Sequence, residues 1–510
     1  MSNSLPQSWS SCTLADIAII NPKTVADESL IAGFVPMSHA PTSYHGELRF
    51  DEKPWGEIKK SYTNFQDGDV IFAKVTPCFE NGKAAVVENF PNSIGAGSSE
   101  FYVLRPHCSD ISKKLLFAII KTHAFMQDGA TNMTGAVGLR RVPKSFVETF
   151  PIALPPAAEQ KEIANRLDKL LAQVEANQAC LARIPYIIKR FRQSVLTAAV
   201  NGKLTEEWRK ISGSTKKTSR TEILNARRLA WEKFEFKRLA GNGKFPINDK
   251  WKQKYKEPNE VLSDNVFDIP ESWEWSNLSE LSWSVKDGPH YSPKYTESGV
   301  PFISGGNVSP SGIDFSNCKY ISHELHEELS KRCKPDIGDI LYTKGGTTGI
   351  AFFNTEEINF NVWVHVAVLK ITPITNGFYL QHALNSKHCY GQSQNYTHGV
   401  GNQDLGLTRM VNITIPVPPI DEQTEIVRRV EQLFAYADTV EQQAKVAKAR
   451  VDKLTQAILA KAFRGELTAD WRAANPDMIS GNNSAAALLA RIQAERATTG
   501  GKKKKRTLKQ

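Results

Sequence analysis

Two short β-rich runs in this chain each end on a lysine that leads into a polar loop. One is Gly68-Asp69-Val70-Ile71-Phe72-Ala73-Lys74, and the other is Gly338-Asp339-Ile340-Leu341-Tyr342-Thr343-Lys344. Amines, amides, guanidiniums and hydroxyls on loops are the groups that hydrogen-bond to phosphate oxygens and to base edges in a nucleic-acid groove. Around the first run these groups are Lys74, Asn81, Lys83, Arg140, Arg141 and Lys144. Around the second they are Lys286, His290, Tyr291, Lys294, Asn307, Lys344, Thr347, Thr348, Asn402 and Gln403. Lys74 and Lys344 rank first, because both close the repeated run. For every one of these residues the competing reading is a solvated loop position. Gly345-Gly346 reads either as a tight turn or as backbone that lets a phosphate come close. Tyr291 and Tyr295 have the shape to stack on a base, and packing is the simpler role. Trp9 and Trp273 read as core anchors.

Bond-making chemistry has no foothold in the same pattern. A phosphate-cradling loop needs GxxxxGK[ST]. Gly241-Asn242-Gly243-Lys244 and Gly345-Gly346-Thr347-Thr348 both fail it. No GxGxxG follows a strand, no HExxH is present, and the 11 His residues show no metal-ligand spacing. There is no Gly-x-Ser-x-Gly elbow. The Asn/Asp-Pro-Pro-aromatic loop of adenine-N6 methylation is missing too, since the Pro-Pro pairs sit in LPPA and VPPI. The chain is therefore read as having no catalytic residues, no metal site and no cofactor of its own.

The elements that would have to position the polar loops appear as a repeat, the first feature to seek in a long chain. Residues 154–209 align without a gap on residues 417–472, at the offset that carries Pro155 to Pro418. Pro155-Pro156, Glu159-Gln160, Glu162-Ile163, Arg166, Leu170, Gly202, Leu204-Thr205 and Trp208-Arg209 recur in the second copy. Each copy reads as one long helix that starts after Pro-Pro and stops at Gly202 or Gly465. Apolar residues recur at steps of four and three. The first stripe is Ile163, Leu167, Leu170, Val174, Leu181, Ile184, Ile188, Phe191 and Val195, with Asn177 as its polar member. The second is Ile426, Val430, Leu433, Ala437, Val440, Ala444, Ala447, Val451, Leu454 and Ile458. This is a heptad pattern, and so narrow a stripe needs a partner of equal length, for which its own copy is the obvious candidate. Pro185 removes one backbone hydrogen bond and is expected to kink the first helix.

Composition limits the remaining choices. The 510 residues suggest two to four domains, and 41% hydrophobic content is enough for real cores. Net charge +10 favours a polyanionic partner. Seven cysteines with no CxxC read as reduced thiols in a cytoplasmic protein. No apolar run is long enough for a membrane span, and the N-terminus has no signal-peptide pattern.

In chain order, 1–153 is a first globular unit of short strands with a helical piece near 111–127. Residues 154–209 are the first long helix and its cap. Residues 210–268 form a basic linker with one helix at about 221–240. Residues 269–416 are a second globular unit with a helical piece near 375–390, followed by the second helical copy at 417–472. A C-terminal helix near 484–497 leads into a basic tail, whose Lys502–Arg506 run is expected to be disordered and either solvated or in contact with phosphates. The second unit repeats the first in its opening, since Pro6, Trp9 and Leu14 match Pro270, Trp273 and Leu278. The fold expected is α+β: two mixed α/β domains separated by two long helices that pair as an antiparallel coiled coil, with an internal pseudo-two-fold repeat. Two different units on such a pair could reach two half-sites about one DNA turn apart, roughly 34 Å.

LPPAAEQKEIANRLDKLL…RFRQSVLTAAVNGKLTEEWR and VPPIDEQTEIVRRVEQLF…LTQAILAKAFRGELTADWR resemble the two helical regions of type I restriction–modification specificity subunits. Residues 287–315 and 334–351 resemble that family's target recognition domains, and the likeness covers essentially the whole chain. The 210–268 linker helix departs from the pattern. The resemblance implies a non-catalytic subunit whose two recognition domains read the halves of a bipartite, asymmetric site in double-stranded DNA. It implies docking helices, with Glu159, Gln160, Ile163, Leu170, Glu422, Gln423, Ile426 and Leu433 as the contact positions. The partners implied are methyltransferase subunits, two of them, and restriction motor–nuclease subunits, with S-adenosylmethionine and ATP on those partners. The rival reading is a coiled-coil scaffold that joins two protein-binding modules without DNA, and a third is an enzyme with an unrecognised site. Steep salt dependence of DNA binding separates the first from the scaffold.

Overall fold

The computed structural model describes residues 5–136, 138–213, 216–241, 243, 245–262, 267–399 and 403–506. Two compact units emerge, and neither is a continuous stretch of chain. The first comprises Met1–Arg183 with Ala444–Gln510, and the second comprises Ile184–Gln443. The two long helices, Ala157–Val200 and Ile420–Phe463, are each divided between them. Each helix has 44 residues, a length of about 66 Å at 1.5 Å rise per residue. The first runs unbroken through Pro185.

The helices pack on one another in antiparallel fashion. Gln178 Nε2 donates to Asp452 at 3.1 Å in the first unit, and Arg192 reaches Asp438 at 2.5 Å in the second, so numbers fall on one helix as they rise on the other. The apolar stripe is not a strict heptad. Leu171 is buried while Leu170, the expected seam residue, is 38% exposed, and Leu459 is buried while Leu454 is 41% exposed. An α-helix of 3.6 residues per turn drifts off a seven-residue repeat unless it supercoils. Near their ends these helices face a globular core rather than each other.

In the first unit, strands Ala18–Ile20, Phe101–Pro106, Val70–Ala73 and Ala84–Val86 form one antiparallel sheet in that order. A second sheet orders Asp51–Pro54, Ile31–Val35, Ile94–Gly97 and Thr63–Gln66, with its middle pair parallel. The core joins this fold to Ile163, Leu167 and Leu171 of the first long helix and Leu459 and Ala462 of the second. The second unit repeats the design. Its antiparallel sheet orders Ser282–Asp287, Val366–Ile371, Ile340–Thr343 and Ala351–Phe353. Its core takes Val195, Leu196 and Ala199 from the first long helix and Ile426 and Val430 from the second.

Each single helical piece expected in the globular units is two helices. They are Lys113–Ile120 with His123–Thr131, and Gly377–Leu384 with Lys387–Tyr396. The breaks are set by Thr122 and Ser386, whose hydroxyls cap the second helix of each pair.

The linker helix is not an orphan. Helix Arg220–Gly241 packs beside Leu278–Leu281, and helix Ala485–Arg506 packs beside Leu14–Ile17, the equivalent segment of the other unit. Ser219 and Ser484 cap them, Ile223 and Leu488 are their buried anchors, and Arg227 and Arg496 donate to the carbonyls of Ser279 and Ala15. The repeat thus extends beyond the 56 aligned positions to the helix that follows. The C-terminal helix spans Ala485–Arg506. No helix among the described residues is long and apolar enough to cross a membrane.

Candidate nucleic-acid interface

In the first unit, strand Val70–Ala73 delivers Lys74 to a surface formed by a turn and a hairpin. The turn, residues 75–83, is closed by Phe79 N to Val75 O, Asn81 N to Pro77 O and Gly82 N to Phe79 O, at 2.8–2.9 Å. The hairpin pairs Thr134–Ala136 with Leu139–Arg141. Val142 N donates to Lys74 O at 2.8 Å, and Arg140 N donates to Thr76 Oγ1 at 3.0 Å, which locks hairpin to turn. Asn81, Thr134, Gly135, Ala136 and Arg140 are exposed, and Leu139 is 52% exposed at the hairpin. Asn81 has no side-chain hydrogen bond among those found in the described residues, so its amide is free to pair with an adenine-type edge. Arg140 lies 3.6 Å from Glu80, with both side chains solvent-accessible.

The second unit builds the same joint. Leu405 N donates to Lys344 O at 2.8 Å, as Val142 does to Lys74, and Gly346 N donates to Gln403 O at 3.2 Å. A Cβ on Gly345 would stand 2.3 Å from His365, so only glycine allows this approach. Gly346 has φ +72°. The glycine pair is therefore needed by the turn itself. Lys286, His290, Tyr291, Lys294, Thr347 and Gln403 are exposed around it. The buried carboxylate of Asp287 gathers Arg332 at 3.0 Å and Lys344 at 3.5 Å, with the His290 ring at 3.2 Å. Burial, followed by the Lys344 charge, holds His365 below the usual histidine range.

Several of the nominated side chains are held by partners within their own unit. Lys344 is only 4% exposed and pairs with Asp287 and Asp404, so it braces the loop and does not face solvent. Lys74 is tied down as well, its Nζ donating to Ser99 O at 2.8 Å and lying over the Tyr102 ring. Lys83 Nζ donates to Met37 O at 2.8 Å. Arg141 makes a two-pronged pair with Glu100 at 2.9 and 2.8 Å, which holds that carboxyl below the usual range. Asn307 is buried and bonds to Ser304, Asp314 and Asn317. Thr348 is buried beneath Gln394 and Thr397. In each case a polar side chain is captured by a carbonyl, carboxylate or other polar side chain that the fold brings within reach, which sequence spacing does not reveal. Lys144 is exposed and pairs with Glu148 one turn along. Asn402 lies outside the described residues. Thr134, Leu139 and Arg332 are exposed beside these residues and did not stand out in the sequence; the two glycines of the TGAVGLRR run around the first two were the available signal of a turn.

The positions expected to dock partners are mostly consumed inside the units. Glu159 and Gln160 are buried, as are Ile163, Glu422, Gln423 and Ile426. Glu159 accepts from Trp9 Nε1 at 2.9 Å, Thr468 Oγ1 at 2.7 Å and Arg472 Nε at 2.9 Å. Glu422 accepts from Trp273 Nε1 at 2.9 Å and Thr205 Oγ1 at 2.6 Å, and pairs with Arg209. Gln160 and Gln423 receive the backbone N–H of Ser112 and Asn376 at 2.9 and 2.7 Å. The head of each helical copy therefore clamps the tail of the other copy onto a globular core. Leu170 is exposed and Leu433 half-buried.

Known proteins resemble this chain in sequence and in fold. The family model for the type I restriction modification DNA specificity domain matches twice, over residues 6–186 and 270–448. The chain is 38% identical over 376 residues to the type I restriction enzyme EcoBI specificity subunit of Escherichia coli, covering 73% of this chain and 70% of that one. It is 33% identical over 416 residues to the EcoKI specificity subunit of Escherichia coli strain K12, covering 79% and 76%. The crystal structure of the HsdS subunit from Thermoanaerobacter tengcongensis shares the fold, with a TM-score of 0.55 at 18% identity over 91% of this chain and 98% of that one.

Proposed function

Because this chain belongs to the type I restriction–modification DNA specificity family, we propose that it reads a bipartite, asymmetric site in double-stranded DNA, one half by each unit. The observation that carries the reading is the joint at Lys74 and Lys344. Both units build it from the same backbone bonds, yet they present different side chains on it. Asn81, Leu139 and Arg140 face outward in the first; His290, Thr347 and Gln403 do so in the second. Unlike surfaces on a shared frame call for unlike half-sites. Exposed Lys144, Lys286, Lys294 and Arg332 supply the cations for phosphates.

In this reading the long helices set the gap between the half-sites and carry two methyltransferase subunits, with restriction motor–nuclease subunits joining in the cytoplasm. Leu170 and Leu433 are the docking positions left available. The chain does no chemistry; S-adenosylmethionine and ATP belong to the partners.

Sequencing the methylated sites of cells that carry the system gives the target. Purified chain should then bind a duplex bearing that site, with affinity falling steeply between low and moderate salt as counterions are released. It should transfer no methyl group until methyltransferase subunits are added. Salt-insensitive binding, or transfer by the chain alone, would overturn the reading.

A further inference from the structure

The first unit holds a lysine in a place where the second unit manages with an amide. Lys121 ends helix Lys113–Ile120, and Asn385 ends the equivalent helix Gly377–Leu384. Both backbones are anchored to a long helix by the same repeat position. Gln456 Nε2 donates to Lys121 O at 3.0 Å, and Gln193 Nε2 reaches Asn385 O at 3.5 Å.

From there the side chains differ. Lys121 is 6% exposed, and its Nζ donates to Gly82 O at 2.6 Å and Thr42 O at 2.7 Å. Gly82 closes the 75–83 turn with φ +68°. The ammonium is thus the junction of a helix end, the 37–45 segment and the turn that presents Asn81. Lys83 grips the same segment through Met37 O. Asn385 instead exchanges two hydrogen bonds with Ala351, through its Nδ2 at 2.8 Å and its Oδ1 at 3.1 Å.

A buried ammonium whose hydrogen bonds go to carbonyls, with no carboxylate bonded to it, is costly to fold, and the Phe117 ring 5.4 Å away offsets this only in part. Glu175 of the first long helix is the acid that feels its charge, but that carboxylate is bonded to Tyr44 N, His45 N and the His45 ring. Burial pushes the Lys121 amine down to about 8. The second unit shows that the helix end can be tied without any ionisable group. A cavity of about 260 Å³ lies beside Lys121, lined in part by Thr42, Asn81, Gly82, Glu175 and Gln456. Without its two bonds the turn has room to shift.

We propose that Lys121 is a positioning residue which fixes the 75–83 turn, and with it the bases accepted by the first half-site. This rests on the reading of that turn as DNA-facing. That reading fails separately if Asn81→Ala and Arg140→Ala both leave the methylated motif unchanged.

The test is Lys121→Met in the intact system, scored by sequencing methylated sites in cells. The expected result is methylation of sites mismatched in one half, with at least a tenfold rise at some of them, while the other half and the gap stay fixed. Asn385→Ala should relax the opposite half. A merely structural role would lower methylation evenly across correct sites without changing the motif, and that outcome, or no change at all, overturns the proposal. If Lys121→Met abolishes methylation, Lys121→Gln, whose N–H donors sit on a stem too short to reach both carbonyls, is scored in the same way. An unrelaxed motif or complete loss in that variant also overturns it.

Discussion

Trp9 Nε1 donates to Glu159 Oε2 at 2.9 Å across 150 positions of sequence. Trp273 makes the same bond to Glu422 at the same distance. Each carboxylate is buried with an arginine from the far end of the other helical copy. Gly202 and Gly465, with φ +79° and +75°, let Pro270 and Pro6 close over the helix ends, where a Cβ would meet the proline ring at 2.4 Å. Three parts of the chain therefore meet at one acid in each unit.

Removing that acid should unfold its own unit first. Glu159→Ala strands a half-buried guanidinium, a buried indole N–H and a buried hydroxyl, and should cost about 3 kcal/mol in the first unit. Glu422→Ala should do the same in the second. Denaturant unfolding followed by tryptophan fluorescence measures it, and a loss below about 1 kcal/mol would deny the clamp its role.

Phosphate and base contacts should separate by salt. Lys144→Gln should weaken binding evenly across sequences and reduce the slope of log K against log salt by about one. Asn81→Ala should instead cost about 1–3 kcal/mol at one base pair and relax selectivity there, with little change in slope. Binding titrations on single-substitution duplexes at several salt concentrations distinguish the two.

Exchanging residues 269–416 for the equivalent of another family member should change one half of the methylated motif and leave the other half and the gap intact. Sequencing of methylated sites reads this directly. A change in both halves would contradict separate reading.

Seven residues inserted near Ala444 would lengthen one helical arm by about 10.5 Å, roughly three base pairs of axial rise. If the helices set the gap, an active variant should recognise a longer gap between unchanged half-sites. An active variant with the original gap would count decisively against a ruler. Loss of activity would fit either view, because the shifted unit must also turn about the DNA axis.

Lys121 gives a pH signature with a definite sign. Its folded-state value of about 8 lies below its ordinary 10.5. Between those values the unfolded chain binds a proton that the folded chain has released, so stability should rise with pH across that window. The ceiling is about 3 kcal/mol for a shift of this size. Urea unfolding at pH 7 and pH 10 should show the rise in the native chain and not in Lys121→Met. An identical pH dependence in both would place the origin elsewhere.

Much of the fold was legible because it repeats. Heptad spacing and Pro-Pro starts give the long helices, and the glycine stops survive within a residue or two. The polar residues picked out by spacing do gather at equivalent loops of the two units, but the two ranked first are the ones most tied to internal partners. Lys74 and Lys344 stood out because they close the strand runs, and that position is what places them against internal acceptors. Asn81 and Arg140, further into the loops, keep their side chains at the surface. Spacing along a chain reports where a side chain leaves the backbone; it says nothing of which carbonyl or carboxylate the fold brings to meet it.

The sequence by itself determined the two-copy design, the lack of recognisable catalytic motifs and the family. Those are properties of periodicity and of residue order, which need no coordinates. Only the tertiary structure decided what the repeated residues are for. Glu-Gln at each helix start looked like a surface for partners and is the buried clamp of its unit, since a carboxylate leaves water only where an arginine, an indole and a hydroxyl converge on it. Those three groups come from opposite ends of the chain, and only folding brings them to one point.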